Sequence, residues 1–295
     1  MNDLQLWQKR VAAQTEIILQ QKLPQISREP AVLHEAMRYS ALDGGKRLRP
    51  LLVWAASQLS DSVQAACEAA MAAVECIHVY SLVHDDMPEM DNDQLRRGKP
   101  TCHVQFGDAV ALLTGDALQT LAFDILSAVT ELPAERQLKM VQVLAKASGS
   151  LGMAGGQAID LANVGKDMKQ PALEQMHGLK TGALIRAAVQ LGGLSCPQIT
   201  DSQLARLDAY AAKLGLAFQV IDDVLDCEAD TATLGKTAGK DADNNKPTYV
   251  KLMGLQAARK YAEQLVREAV AELAVFDERA QYLRQLAEYV VARNH

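Results

Sequence analysis

Apolar residues between positions 204 and 225 recur at alternating three- and four-residue steps: Leu204, Leu207, Ala211, Leu214, Phe218, Ile221 and Leu225. That period is helical, so the spacing predicts a helix with these side chains on its inner face. Gln219, Asp222 and Asp226 lie one residue further round, and no basic residue stands between Lys213 and Cys227. A solvated face would mix in cations. A stripe of carboxyl and amide groups beside an apolar face predicts the border of an interior cavity.

Comparable helical patterns run along the whole chain. They are interrupted at Pro24 and Pro30, Gly44-Gly45, Ser60-Asp61, Pro88, Gly98-Lys99-Pro100, Pro133, Gly155-Gly156, Pro171, Gly192-Gly193, Pro197 and the stretch from Gly235 to Pro247. These breaks leave about ten helices. Strand-like runs of β-branched residues are scarce, which predicts an all-α chain. No flexible linker, low-complexity tract or short repeat divides it, so residues 1–295 read as one domain.

Composition narrows the classes. A formal charge of −6 argues against a general nucleic-acid binder, which normally presents a net basic face. The five cysteines, Cys67, Cys76, Cys102, Cys196 and Cys227, form no CxxC pair and no disulfide-framework spacing. They read as packing thiols in a reducing compartment. The opening MNDLQLWQKR carries an acid and several amides where a signal peptide needs an apolar segment, and the chain contains no run of 18 apolar residues. A cytoplasmic protein without membrane insertion is the expectation.

The candidate chemistry is acidic. LVHDDMPEMDND, residues 82–93, places Asp85, Asp86, Glu89, Asp91 and Asp93 directly after an apolar helical run. So many like charges repel unless a cation compensates them. Asp85 and Asp91 are too far apart for one helical face, but Pro88 removes a helical donor and lets the chain curl Asp91 back toward Asp85. In the second cluster, Asp222 and Asp226 share a face with Asp223 beside them. Oxygen donors without His or Cys point to a hard ion, and Mg²⁺ takes one or two carboxylates plus substrate phosphates and water.

Basic groups suited to phosphate accompany both clusters. DGGKRLRP offers Lys46, Arg47 and Arg49 after a Gly-Gly turn, and LRRGKP offers Arg96 and Arg97 after the first cluster. LKTGAL offers Lys180 and Thr181, while Lys236, Lys240 and Lys246 follow the second cluster. His78, seven residues before Asp85, lies on roughly the same face and could reach a phosphate. Packed or solvated roles remain open for each of these taken singly.

In order, GGKRLRP, HDDMPEMDND with LRRGKPT, GQAIDL, KTG, FQVIDDVLD and GKTAGKD with KPTY resemble the motif set of the short-chain trans-isoprenyl diphosphate synthases. The likeness spans nearly the whole chain and is strongest to the bacterial farnesyl-producing branch. It implies an all-α prenyltransferase bundle, normally a homodimer, around a central cavity. An allylic diphosphate and isopentenyl diphosphate would be the substrates, with several Mg²⁺ ions bridged by the substrate diphosphate.

Carried onto matching positions, the resemblance makes Asp85, Asp86 and Asp91 one metal-binding wall and Asp222, Asp223 and Asp226 the other. Asp85, Asp91 and Asp222 are the most direct ligands, and Lys180 joins them as a catalytic group. Lys46, Arg49, His78 and Arg97 resemble the isopentenyl diphosphate pocket. Arg96, Lys180, Thr181, Gln219, Lys236 and Lys246 resemble the allylic diphosphate clamp. Tyr80, five residues before Asp85 and about 7.5 Å along the helix, would floor the cavity and stop growth at fifteen carbons. A twenty-carbon synthase, a terpene cyclase and a non-catalytic prenyltransferase subunit are the alternatives. The terminal Arg293-Asn294-His295 receives no role.

Overall fold

The hydrophobic periods resolve into helices in a computed structural model, which describes residues 3–228 and 248–293. In chain order these are α1 (Asp3–Lys22), α2 (Ala31–Ala41), α3 (Leu48–Ser57), α4 (Gln64–Asp85), α5 (Cys102–Phe106), α6 (Asp108–Ser127) and α7 (Ala134–Ser148). They continue with α8 (Met153–Ala162), α9 (Gln170–His177), α10 (Ala183–Leu194), α11 (Asp201–Glu228), α12 (Tyr249–Met253), α13 (Leu255–Glu272) and α14 (Gln281–Ala292). The described residues thus hold more helices than the ten or so expected. Two of them, α5 and α12, are five residues long and too short for a helical period to register. Among the described residues the only sheet is a hairpin of β1 (Leu95–Arg96) and β2 (Lys99–Pro100). Arg97 and Gly98, both at positive φ, form the tight two-residue turn between its strands.

The bundle is organised around α4. Its small residues Ala69, Ala70, Ala72 and Ala73 are at most 2% exposed, so α3, α6 and α10 all approach it closely. Against α6, a Cβ on Gly115 would lie 2.0 Å from His84 Nε2. That same nitrogen is 3.0 Å from the Leu112 carbonyl oxygen. Only glycine lets the histidine reach the α6 backbone. Further round, α11 packs on α10 and α13 and spans the stretch expected from its apolar period.

One buried ion pair ties the layers. Arg47, at φ 50° ahead of α3, donates to Glu75 Oε1 of α4 at 2.6 Å, to Glu16 Oε2 of α1 at 2.7 Å and to the Ala41 carbonyl at 2.7 Å. Arg47 and Glu75 are 4% and 1% exposed. Removing one partner of such a pair strands the other charge in a poorly solvating interior. Glu75→Ala is therefore expected to cost about 3 kcal/mol in a denaturant titration.

Four cysteines, Cys67, Cys76, Cys102 and Cys196, are buried as packing thiols, and Cys227 is exposed. Two helices are long and apolar enough to span a bilayer, α4 and α6. Most of the apolar window of α4 is buried in the bundle, which marks it as a core helix. That of α6 is 39% buried, leaving Leu112 and Leu113 about half exposed.

Candidate active site

The first acidic cluster caps α4. Beyond Asp85 the chain leaves the helix, and the Asp91 amide donates to the Asp85 carbonyl at 2.8 Å while the Asp93 amide donates to that of Asp86 at 3.1 Å. This is the curl that Pro88 predicts. It gathers Asp85 and Asp91 at one helix end. Burial pushes the Asp85 carboxyl up to about 6; Lys180 opposes the rise, and Asp91 and Asp86 add to it. A carboxyl so placed favours ionisation when a cation arrives.

Asp86 has a different setting from the expected metal wall. It is 2% exposed and receives a bidentate hydrogen bond from Arg96, with Arg96 Nε at 2.7 Å from Oδ2 and Nη2 at 2.5 Å from Oδ1. The hairpin carries Arg96 back to Asp86, so the two expected site residues neutralise each other. Their pairing also frames the turn that carries Arg97.

The second cluster divides in the same way. Gln219 and Asp222 of α11 face a cavity, as their stripe predicts. Asp223 points away, 8% exposed, and accepts the Tyr249 amide at 2.7 Å, which fixes the start of α12. Asp226, the third residue of that stripe, is half-buried one turn on and lines neither of the two cavities described below. Phe218, expected on the packed face, instead lines the cavity and is only half-buried. Among the described residues no three acidic, His or Cys side chains converge as a metal cage. Paired carboxylates completed by phosphate and water oxygens suit Mg²⁺ better than such a cage would.

Two cavities meet between these clusters. The first, about 470 Å³, is lined by Lys46, Arg49, His78, Arg97, Phe218 and Asp222, among others. Arg49 is half-buried, its enclosed Nε lacks a hydrogen-bond partner, and partial desolvation lowers the pKa of Lys46, Arg49 and Arg97 alike. Burial first, then Arg49 and Arg97, hold His78 well below the usual histidine range, so its imidazole is neutral. Cations concentrated at such cost make an anion site. The Gly44-Gly45 turn leaves room for one of them, because a Cβ on Gly45 would lie 2.7 Å from an Arg97 guanidinium nitrogen.

The second cavity, about 420 Å³, runs from Asp85 and Lys180 down past Tyr80, Met90, Met153 and Leu161. Arg49, His78 and Thr181 line both cavities. Lys180 and Thr181 sit in a π-helical turn, Gly178–Gly182, an insertion geometry frequent at functional sites. Lys180 donates to Asp160 at 2.6 Å, and Thr181 donates to Gln219 Oε1 at 3.0 Å. Gln219 in turn donates to Asp222 Oδ2 at 3.0 Å. Along this cavity Tyr80 is 7% exposed, with Gln119 beside its hydroxyl and its ring edge-on to His84, the centroids 5.8 Å apart.

Three residues escaped the sequence reading. Asp160 and Gln157 lie within GQAIDL, which carried the resemblance without receiving a role; Asp160 orients Lys180, and Gln157 leaves its buried Oε1 unpartnered at the second cavity. Arg293, set aside as part of the terminus, donates to Asp222 Oδ1 at 2.6 Å. A lone arginine after the last helix carries no spacing signal that could have placed it there. The expected roles of Lys236 and Lys246 lie outside the described residues.

The chain resembles known proteins along nearly its whole length. The polyprenyl synthetase family model matches residues 30–287. Farnesyl diphosphate synthase of Escherichia coli (strain K12) is 52% identical over 265 residues, covering 88% of this chain and 89% of the relative. An FPP/GFPP synthase of Zymomonas mobilis, solved without ligand, superposes with a TM-score of 0.87 at 44% identity over 98% of this chain and 99% of its own. A geranyltransferase of Helicobacter pylori, solved with magnesium and isoprenyl diphosphate, superposes with a TM-score of 0.86 at 29% identity over 99% of each chain. Matched along nearly its whole length in sequence and in fold, the chain belongs to the polyprenyl synthetase family.

Proposed function

We propose that this trans-prenyltransferase joins an allylic diphosphate to isopentenyl diphosphate and stops at fifteen carbons, as a farnesyl diphosphate synthase. One observation carries the reading: a cationic cavity and a deep, largely apolar cavity abut, sharing Arg49, His78 and Thr181. Two diphosphates can then lie with their carbon chains side by side, which is the arrangement a condensation needs.

Isopentenyl diphosphate fits the first cavity, where Lys46, Arg49 and Arg97 would hold its phosphates and neutral His78 could donate a hydrogen bond without adding charge. The allylic substrate fits the second, with its diphosphate between Asp85 and Lys180 and its tail toward Tyr80. Asp85, Asp91 and Asp222 would hold Mg²⁺, an assignment supported by their all-oxygen chemistry and by the raised carboxyl of Asp85. When bound, Mg²⁺ supplies positive charge to the departing diphosphate.

As the allylic carbon–oxygen bond breaks, Lys180 stabilises negative charge growing on the leaving group, and Asp160 keeps its ammonium in place. The isopentenyl double bond attacks the allylic carbon, and the released diphosphate takes the proton lost from the adduct. The buried Tyr80 and Met153 would keep water from that stretch of the cavity, where it could quench the cation. Tyr80 blocks further elongation.

A cytoplasmic homodimer is part of the reading. The half-exposed Leu112 and Leu113 of α6 supply an apolar face for a second copy, and burial of the α4 apolar stretch favours life outside the bilayer.

The test is a product assay with purified protein, Mg²⁺, labelled isopentenyl diphosphate and geranyl diphosphate. Farnesyl diphosphate as the main product is expected. Geranylgeranyl diphosphate would keep the chemistry and overturn the chain length. A hydrocarbon from geranyl diphosphate alone would point to a cyclase, and activity that needs a second protein to a subunit role.

A further inference from the structure

Arg293, the last described residue, lies against the second acidic cluster. Arg293 leaves α14 in extended geometry, φ −70° and ψ 145°, and turns its guanidinium inward to 7% side-chain exposure. It donates to Asp222 Oδ1 at 2.6 Å and to the Phe218 carbonyl at 2.9 Å, while its central carbon lies 3.9 Å from the Phe218 ring centroid. Its Nε is buried without a hydrogen-bond partner. A carboxylate, a carbonyl and an aromatic face thus fix one guanidinium plane, more than an exposed ion pair achieves.

The place it occupies is contested. Asp222 Oδ2 is already taken by Gln219, so Oδ1 is the oxygen turned to Arg293. A divalent cation on that carboxylate would bring like charge against the guanidinium at close range. Tyr289 and Val290 of α14 line the same cavity as Arg293, so whatever displaces Arg293 also disturbs the cavity wall.

Resting on the assignment of Asp222 as a metal ligand, we propose that Arg293 is a built-in substitute cation: it neutralises Asp222 and draws the carboxy-terminal segment onto the cationic cavity until a divalent cation with diphosphate displaces it. Metal loading and the position of that segment are then linked, and each weakens the other. Arg293 is a positioning residue in this scheme, holding the cavity wall and Asp222 in register before the metal enters.

The experiment is a Mg²⁺ titration with inorganic diphosphate present, read by thermal unfolding and by calorimetric heat, on full-length wild type, Arg293→Gln, Arg293→Lys and Asp222→Asn. Arg293→Gln is expected to melt lower without Mg²⁺ and to reach its half-maximal shift at a Mg²⁺ concentration about fivefold lower, with Arg293→Lys between it and wild type. An unchanged or higher midpoint in Arg293→Gln overturns the proposal even if its melting temperature falls, because a purely structural contact would give that result. Should Arg293→Gln not fold, an Arg293→Lys midpoint below that of wild type supports the proposal and an equal one overturns it. Asp222→Asn separates the two layers. A midpoint equal to wild type removes Asp222 as a ligand and the proposal with it, whereas a raised midpoint beside an unmoved Arg293→Gln overturns the proposal alone.

Discussion

Replacing Asp85 by asparagine is expected to lower kcat by about three orders of magnitude while changing the KM for isopentenyl diphosphate by less than about threefold. The asymmetry follows from the two cavities. Asp85 lines the deep cavity beside Lys180, whereas Lys46 and Arg97 belong to the cationic one. Asparagine keeps the side-chain shape and discards the charge that would hold Mg²⁺ at the departing diphosphate. Folding should not suffer, since burial already opposes the charged form of Asp85 and the amide removes that charge. Steady-state kinetics with each substrate varied in turn, alongside a melting curve, would check both halves. A rise in KM for isopentenyl diphosphate as large as the fall in kcat would mean the substrates are wrongly placed.

The second large effect is on the product. Tyr80→Ala is expected to shift the main product from fifteen to twenty carbons. Tyr80 lies about 7.5 Å below Asp85 along α4, 7% exposed, and its ring is held by edge contact with His84. His84 is itself fixed, bonded to the Leu112 carbonyl in the notch that Gly115 leaves. The floor is therefore rigid and should yield only when the ring is removed. Losing a buried ring also costs about 3 kcal/mol, so the assay belongs well below the melting temperature. Tyr80→Phe keeps the ring and loses only the hydroxyl; its product should remain at fifteen carbons. Chromatography of the dephosphorylated products decides the matter, and a folded Tyr80→Ala still making only farnesol would move the floor to another helix.

Both predictions start from features legible in the chain. The period of α11 placed Gln219 and Asp222 beside an apolar face, and the helix indeed turns both toward a cavity. Pro88 announced the curl, and the Asp91 amide closes it on the Asp85 carbonyl. The Gly-Gly turn was legible too, and what its missing side chains admit is Arg97 from the hairpin.

Local spacing and composition by themselves determined the helices, the two acidic clusters and the basic segments around them, because each depends on neighbours within a turn or two. Partner choice among those charges was left to the tertiary structure. Asp86 and Asp223 look like their neighbours in sequence, yet one is spent on Arg96 across a hairpin and the other on the Tyr249 amide at the start of α12. Arg47 resembles Arg49, yet it closes on Glu75 while Arg49 keeps a buried nitrogen unpartnered. Arg293 meets Asp222 across 71 residues. A carboxylate's role depends on which cation the packed chain brings within about 3 Å and how much water the packing removes, and neither is a property of residues close in sequence.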